Sequence, residues 1–413
     1  MHIPPALKHR RFFFLWLGLL ISIAGTQMQI WALFWHIREL TDQPIAVSGI
    51  GFARILPVII FSLIGGALAD TANRRTIIFV TQSAAALLAL ALGLFTQFGH
   101  ITVWHIYVIT ALSAIAVAFD GPARQSLVPN LVPAKDLPNA FSLTSIAFQA
   151  GSVIGPALSG IVIAMWGQAS VYYINAVSFL AVILALFLIG DVPQKIEATS
   201  KGISLSSIGD GIKFILSKPI IFSTMILDFI ATFFASANTL MPFVARDVLH
   251  VGVVEYGWLS AAQSVGAVTV AVIISQVHEL RRQGPLFLSA VVVFGFATII
   301  FGLSRFFILA WIALALIGAA DGLSTIIRNT IRQLQTPDHI RGRMTSVNQI
   351  FFQGGPQLGE IEAGTVAQLF GAPFAIVSGG IGCLVGLGLV IRKWPQLLSY
   401  NGHEPTPAAE AAD

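Results

Sequence analysis

The chain is a succession of continuously apolar runs separated by short polar turns. The runs fall at about 11–36, 46–69, 76–98, 102–126, 138–165 and 169–190, and again at about 218–245, 254–277, 285–303, 306–331, 343–369 and 372–394. A helix needs roughly 20 apolar residues to cross the hydrocarbon core of a bilayer, and these runs supply them without the alternation of barrel strands. The pattern predicts an all-α polytopic membrane protein with twelve transmembrane helices in two sets of six. Residues 1–190 form the first bundle, 191–217 a polar cytoplasmic linker, 218–394 the second bundle and 395–413 a disordered tail poor in apolar residues.

Composition narrows the class. Hydrophobic residues make up 56% of the 413 and charged residues 10%, against roughly a quarter charged in soluble chains. A mean hydropathy of +0.82 over the whole length excludes both a soluble protein and a soluble domain on one anchor. The single cysteine, Cys383, lies in an apolar run, which excludes disulfide frameworks and cysteine metal clusters.

The pI near 9.4 reflects orientation rather than nucleic-acid binding, because the basic residues are scattered through short loops. With the N-terminus inside, 19 of the 23 Lys and Arg fall on the cytoplasmic side. Arg38, Arg246 and Arg305 fall outside and Arg54 lies within a span. Cytoplasmic loops carry the excess of positive charge, so both termini are expected in the cytoplasm. Lys8, Arg10 and Arg11 precede the first run as in a signal peptide. The run continues through Trp31 and Trp35, however, and its removal would leave an odd number of spans, so it is expected to be retained.

The halves repeat. A shift of 204 residues aligns Arg124 with Arg328, Pro133 with Pro337, Ser142 with Ser346, Gln149 with Gln353, Gly151 with Gly355, Gly155 with Gly359, Gly160 with Gly364 and Gly167 with Gly371. Arg74-Arg75 answers Arg281-Arg282 at a shift of 207. Parallel six-helix repeats of this kind are a common plan of secondary transporters.

Three stretches carry candidate chemistry. After the second span, Gly66-Ala-Leu-Ala-Asp70-Thr-Ala-Asn73-Arg74-Arg75 places a carboxylate four residues before a guanidinium at a tight turn. It resembles the loop signature of the major facilitator superfamily, with Asn73 where a glycine is usual; Asn tolerates the left-handed backbone expected there. On the fifth span, Gly151, Gly155, Pro156 and Gly160 permit close helix packing and a bend, and resemble the antiporter signature of superfamily exporters, with Ser159 in place of one glycine. Phe119-Asp120-Gly-Pro-Ala-Arg124-Gln-Ser-Leu-Val-Pro129, Leu137-Pro-Asn-Ala140 and Gly355-Pro-Gln-Leu-Gly-Glu360-Ile-Glu362-Ala-Gly364 are similar to the enterobactin-exporter and macrolide-efflux subgroup. The resemblance covers essentially the whole chain and implies bacterial inner-membrane export, usually driven by protons. An arginine that many superfamily exporters carry in the outer half of the fourth helix is missing between Ile106 and Val117, so its proton role does not transfer.

Charges inside a bilayer are costly and mark pathways. Asp228 lies about ten residues past Lys218, roughly 15 Å into the membrane, and is the first candidate for proton coupling. Glu360 and Glu362, two apart on the eleventh helix and so on different faces, follow it. Burial disfavours the charged carboxylate, which suits a group that loads a proton on one side and releases it on the other. Gln27, Trp31 and Trp35 recur at four-residue spacing on the first helix and offer an amide and indoles to an amphiphilic aromatic ligand; Trp35 equally suits an interfacial anchor. Asn238 and Arg328 are further candidates for the substrate cavity. Asp120 with Arg124, and Asp321 with Arg328, are spaced to pair along one helix and, with Asp70 and Arg74, are expected to gate the cytoplasmic face.

No phosphate loop, metal-ligand cluster or nucleophile elbow is visible in the sequence, so no cofactor and no enzyme activity are expected. The expectation is a proton-coupled exporter of a siderophore-like or drug-like amphiphile, working by alternating access, without nucleic-acid partners and as a monomer in the lipid bilayer. Proton-coupled uptake on the same fold is the first alternative. A non-transporting polytopic receptor or enzyme is the second.

Overall fold

The computed structural model describes residues 4–194, 212–236, 238–277 and 280–402. Its long helices are α1 (Arg10–Leu40), α2 (Pro44–Thr71), α3 (Arg74–Gln97), α4 (Val103–Leu127), α5 (Leu137–Trp166), α6 (Gln168–Ile189), α7 (Pro219–Ala235), α8 (Val253–Ser275), α9 (Gln283–Leu303), α10 (Phe307–Gln335), α11 (Asp338–Phe370) and α12 (Ala372–Lys393). Eleven segments among the described residues are long and apolar enough to cross a membrane. The twelfth helix, α11, is 33 residues long and carries Gln353, Gln357, Glu360 and Glu362 in its sequence. The protein is therefore all-α and polytopic, as the apolar pattern predicts.

Helix ends follow local chemistry. Gly167 and Gly371 close α5 and α11 at φ +78° and +88°, a left-handed backbone that costs a side chain dearly. The repeat thus conserves a turn as well as a sequence position. Four helices, α2, α4, α5 and α11, run through an internal proline at Pro57, Pro122, Pro156 and Pro356.

The chain forms two compact units. The first comprises Met1–Asp42, Gly49–Gly202 and Gly252–Ala261. In it α1 packs between α5 and α6, and α3 against α4 and α6. Its core at the end bearing Arg74, here termed the basic end, is built from Phe12, Leu15, Leu19, Ile78, Leu127, Val182 and Leu186. The second comprises Gln43–Ser48, Ile203–Val251 and Ala262–Asp413. There α9 packs against α10 and α12, and α7 against α11 and α12.

Lipid tails are as apolar as leucine, so helices associate in membranes through close packing rather than hydrophobic expulsion. The motif glycines supply it. Gly151 and Gly155 of α5 abut Ala24 and Gln27 of α1, and Gly160 abuts Gly257 in the 252–261 segment of the same unit. In the second unit Gly355 and Gly359 of α11 meet Thr232 and Phe233 of α7, and Gly364 meets Ser48. Leu56, Ile59, Leu87, Val177, Leu184 and Phe187 stay exposed, as lipid-facing side chains do.

Two features differ from the sequence reading. The seventh apolar run is not one helix: α7 stops at Ala235, a 3-10 turn spans Asn238–Leu240 and a π-helical turn Val244–Val248. Asn238 and Pro242 lie within this interrupted stretch. Within the stretch expected to be a disordered tail, Gln396–Ser399 is a short helix and Leu397 and Tyr400 are buried. The Gly284 N–H donates to the Tyr400 carbonyl at 2.9 Å, tying this strap to the start of α9. Residues 403–413 and linker residues 195–211 lie outside the described residues.

Candidate functional site

In the second unit, Ile221, Thr224, Met225, Asp228, Ala231 and Ala235 make the buried face of α7. Ala310, Ala313, Leu314, Ile317, Ser324, Ile327, Arg328 and Ile331 lie on that of α10. Helical phase alone therefore turns Asp228 and Arg328 inward, where an unpaired charge would be prohibitive. They meet as an ion pair between Arg328 Nη1 and Asp228 Oδ2, with only 6% and 8% of the side chains exposed. The remaining guanidinium donors stay on α10: Nε donates to the Ser324 carbonyl at 3.3 Å and Nη2 to Thr325 Oγ1 at 2.8 Å. Nη2 also lies 3.7 Å from Asp321 Oδ1, whose side chain is half exposed. A cavity of about 10 Å³, near the volume that holds one water, is lined by Asp228, Thr232, Asp321 and Ser324 with apolar residues of α7, α9 and α10.

Arg328 is thus consumed by an ion pair across two helices. Asp321, spaced to pair with it along α10, stands 3.7 Å away, and Asp228 on the neighbouring helix is nearer than this carboxylate two turns back on its own.

The repeat position in the first unit is arranged differently. Arg124 pairs with Asp120 one turn earlier on α4. The buried Asp120 also accepts from Thr81 Oγ1 at 3.1 Å and Gln82 Nε2 at 3.0 Å, both on α3.

The other expected residues scatter. Glu360 is buried and Glu362 half-buried on α11, on different faces as their spacing requires. Gln27 donates to Ser152 Oγ of α5 at 2.7 Å, so its amide is engaged in helix packing. The Trp31 ring meets Tyr256 edge-on at 6.2 Å, and the Tyr256 hydroxyl donates to the Trp31 carbonyl at 2.9 Å. Trp35 is buried and donates to Glu39 at 2.7 Å. Asn238 sits at the α7 break and accepts from Gln263 Nε2 at 3.2 Å. Arg74 donates to the Ala69 carbonyl at 3.2 Å, the Ser126 carbonyl at 3.0 Å and Asn130 Oδ1 at 2.9 Å, while the side chain of Asp70 lies outside the described residues. Asn73 is extended, at φ −65°, and caps α3 by accepting from the N–H of Arg75 and Thr76. The left-handed turn expected there is absent, since the side-chain cap already satisfies the first turn.

Solved transporters share this fold. The bacterial homologue of the human lysosomal transporter Spinster, in its inward-facing unoccupied form, aligns at a TM-score of 0.74 and 14% identity over 96% of this chain and 99% of that one. The nucleoside transporter NupG aligns at 0.73 and 11% identity over 94% and 99%. Residues 4–405 match the transmembrane secretion effector family. The chain belongs to the major facilitator superfamily. The multidrug efflux pump Tap of Mycolicibacterium fortuitum is 25% identical over 386 residues, 91% of this chain and 93% of Tap. The enterobactin exporter EntS of Citrobacter koseri is 27% identical over 346 residues, 84% of this chain and 82% of EntS. This facilitator is accordingly a multi-pass membrane transporter with efflux relatives, and not an enzyme.

Several residues that build the facilitator's charged layers escaped the sequence reading. Thr81 and Gln82 form an adjacent polar pair in an otherwise apolar span, a signal that could have marked them. Ser324 and Thr325 carry none, because hydroxyls that bond within their own helix are common in membrane spans. Tyr256 is a fully buried aromatic that nothing in its local sequence distinguishes.

Proposed function

We propose that this facilitator exports small amphiphilic molecules of the siderophore or drug class from the bacterial cytoplasm by proton antiport, acting as a single chain with both termini inside. The observation that carries the reading is the buried Asp228–Arg328 pair beside a water-sized cavity. A carboxylate held by one guanidinium between two helices changes the cohesion of those helices when it takes up a proton. Protonation then biases one access state over the other, and substrate bound to the favoured state completes the exchange. The efflux function of Tap and EntS supports the outward direction, and Glu360 and Glu362 are secondary coupling groups.

The test is flux in everted membrane vesicles with an imposed gradient, acid inside, using a lipophilic dye and a catecholate siderophore as probes. Gradient-driven accumulation is expected for the parent and its loss for Asp228→Asn, with Glu360→Gln less affected. Undiminished accumulation in Asp228→Asn overturns the proton assignment. Proton-driven movement in the opposite direction overturns export in favour of uptake.

A further inference from the structure

The first unit keeps its charges at its two ends, with one exception. Among the described residues its acids lie toward the basic end, at Asp70, Asp120, Asp136 and Asp191, or toward the opposite end, at Glu39, Asp42 and Glu255. Its arginines at those ends all have protein acceptors. Arg38 pairs with Asp42, Arg75 with Asp191 and Arg124 with Asp120, and Arg74 donates to the Ala69 and Ser126 carbonyls.

Arg54 is the exception. It stands ten residues into α2 from Pro44, about 15 Å along the helix and near the middle of a hydrocarbon core of about 30 Å. From there a guanidinium does not reach either interface by snorkelling. Helical phase also turns it away from lipid. Phe52, Leu56 and Ile59 make the exposed stripe of α2, and the half-buried Arg54 lies on the opposite face with Phe61 and Gly65. That face packs on α4, where the Phe61 ring meets that of Phe119 at 6.2 Å and Gly65 abuts the Ala118 carbonyl. Among the described residues Arg54 makes no hydrogen bond and no ion pair.

A second polar group is idle at the same level. Gly49 of α2 abuts the Tyr107 hydroxyl of α4, so α2 and α4 meet at Gly49–Tyr107 and again at Gly65–Ala118. Arg54 falls between these contacts on α2 and Thr110 between them on α4. The Thr110 side chain is buried and its Oγ1 has no hydrogen-bond partner. A midplane charge without a counter-charge is costly, and an anion brought by the cargo removes that cost.

We propose that Arg54 is the seat of an anionic group on the transported molecule, with the Thr110 hydroxyl as a second donor, so that the cargo is an amphiphilic organic anion. A guanidinium forks onto the two oxygens of a carboxylate, and the bond is stronger in a water-poor span than in solvent. Neutral analogues leave the charge uncompensated, so selection is by charge before shape. This deepens the export reading above by naming the charge of the cargo, and binding measured without a proton gradient separates the two.

The probes are dansylglycine and dansylglycinamide, one fluorophore with and without a carboxylate, titrated against the full chain in lipid nanodiscs at pH 7.5. The parent is expected to bind the acid about ten- to a hundredfold more tightly than the amide. Arg54→Gln is expected to abolish this preference by weakening the acid alone. Arg54→Lys is expected to keep part of it, because the charge remains and the fork does not. Thr110→Val is expected to weaken the acid several-fold. Since Arg54 has no protein partner, the Tm of Arg54→Gln is expected to equal or exceed the parent's. A lower Tm with parallel loss of both probes marks a structural arginine and overturns the seat. So does a parent that fails to distinguish the probes, or an Arg54→Gln variant that still does. Should the glutamine variant not fold, undiminished preference in both Arg54→Lys and Thr110→Val overturns it. A charge preference that depends on Arg54, in a chain whose flux ignores the proton gradient, overturns proton coupling and leaves the anion seat standing.

Discussion

Arg124 and Arg328 occupy the same position in the two repeats but perform different work. In the first unit the guanidinium answers a carboxylate one turn back on the same helix, and that carboxylate is held by two further donors from α3. In the second unit the position of Asp120 is taken by Ser324, and the buried carboxylate has moved to α7. One ion pair lies within a helix, its carboxylate tied to α3 by neutral hydrogen bonds alone. The other joins two helices and can report whether they stay together. The glycines around these pairs show no such divergence: Gly155 and Gly359 each admit the first helix of their own unit. The two repeats thus share their glycine packing and differ in their charge pairing.

The largest effect that could break this contrast is removal of the two arginines. Arg328→Leu strands Asp228 without a counter-charge in a buried site and is expected to cost about 3 to 5 kcal/mol. Arg124→Leu leaves Asp120 with the Thr81 and Gln82 bonds and is expected to cost about 1 to 2 kcal/mol. Denaturant unfolding of the purified protein in detergent measures both. Equal losses would mean that the two pairs are equivalent after all. The double variant Asp228→Asn with Arg328→Gln is expected to recover much of the loss, because it removes both charges together.

A smaller effect tests the shared part of the comparison. Gly155→Val and Gly359→Val each push a side chain into a backbone or side-chain neighbour of the adjoining helix, and each is expected to cost about 1 to 3 kcal/mol by overpacking. Gly121→Ala, where no atom lies within 4 Å of the added methyl, is the control and is expected to lose no stability, gaining up to about 1 kcal/mol of helix propensity inside α4. Tolerance of the valines in one unit only would show that packing, too, has diverged.

The same division marks what the sequence could disclose. The run of apolar residues, the small-residue spacing and the 204-residue register are properties of the chain read along its length, and they lead directly to twelve helices in two repeats. Which helix lies beside which is not such a property. Asp321 and Arg328 are seven apart and invite pairing, yet the nearer carboxylate comes from α7, a hundred residues earlier. The break after Ala235 is hidden for a similar reason: the apolar run continues across it, and only Asn238 and Pro242 hint that the backbone does not. The strap at Gln396–Ser399 is four residues long, too short for any periodicity to register.

The smallest effect concerns the turn before α3, where the resemblance to the superfamily and the structure make opposite forecasts. If Asn73 merely substituted for a glycine in a left-handed turn, Asn73→Gly would stabilise the loop by relieving backbone strain. The structure instead has Asn73 extended, accepting from Arg75 N at 3.0 Å and Thr76 N at 3.4 Å. A side-chain cap of this kind contributes about 1 kcal/mol relative to alanine, and a few tenths relative to glycine. Asn73→Ala is therefore expected to lower the unfolding free energy by roughly 1 kcal/mol, Asn73→Gly by less, and Asn73→Asp by little, since a carboxylate caps equally well and favours a helix N-terminus. Ranking the three variants by denaturant unfolding distinguishes cap from turn: a glycine variant more stable than the parent would restore the left-handed turn. The expected order is Asn and Asp above Gly, with Ala last, because what holds the start of α3 is the side-chain oxygen of residue 73 and not its backbone freedom.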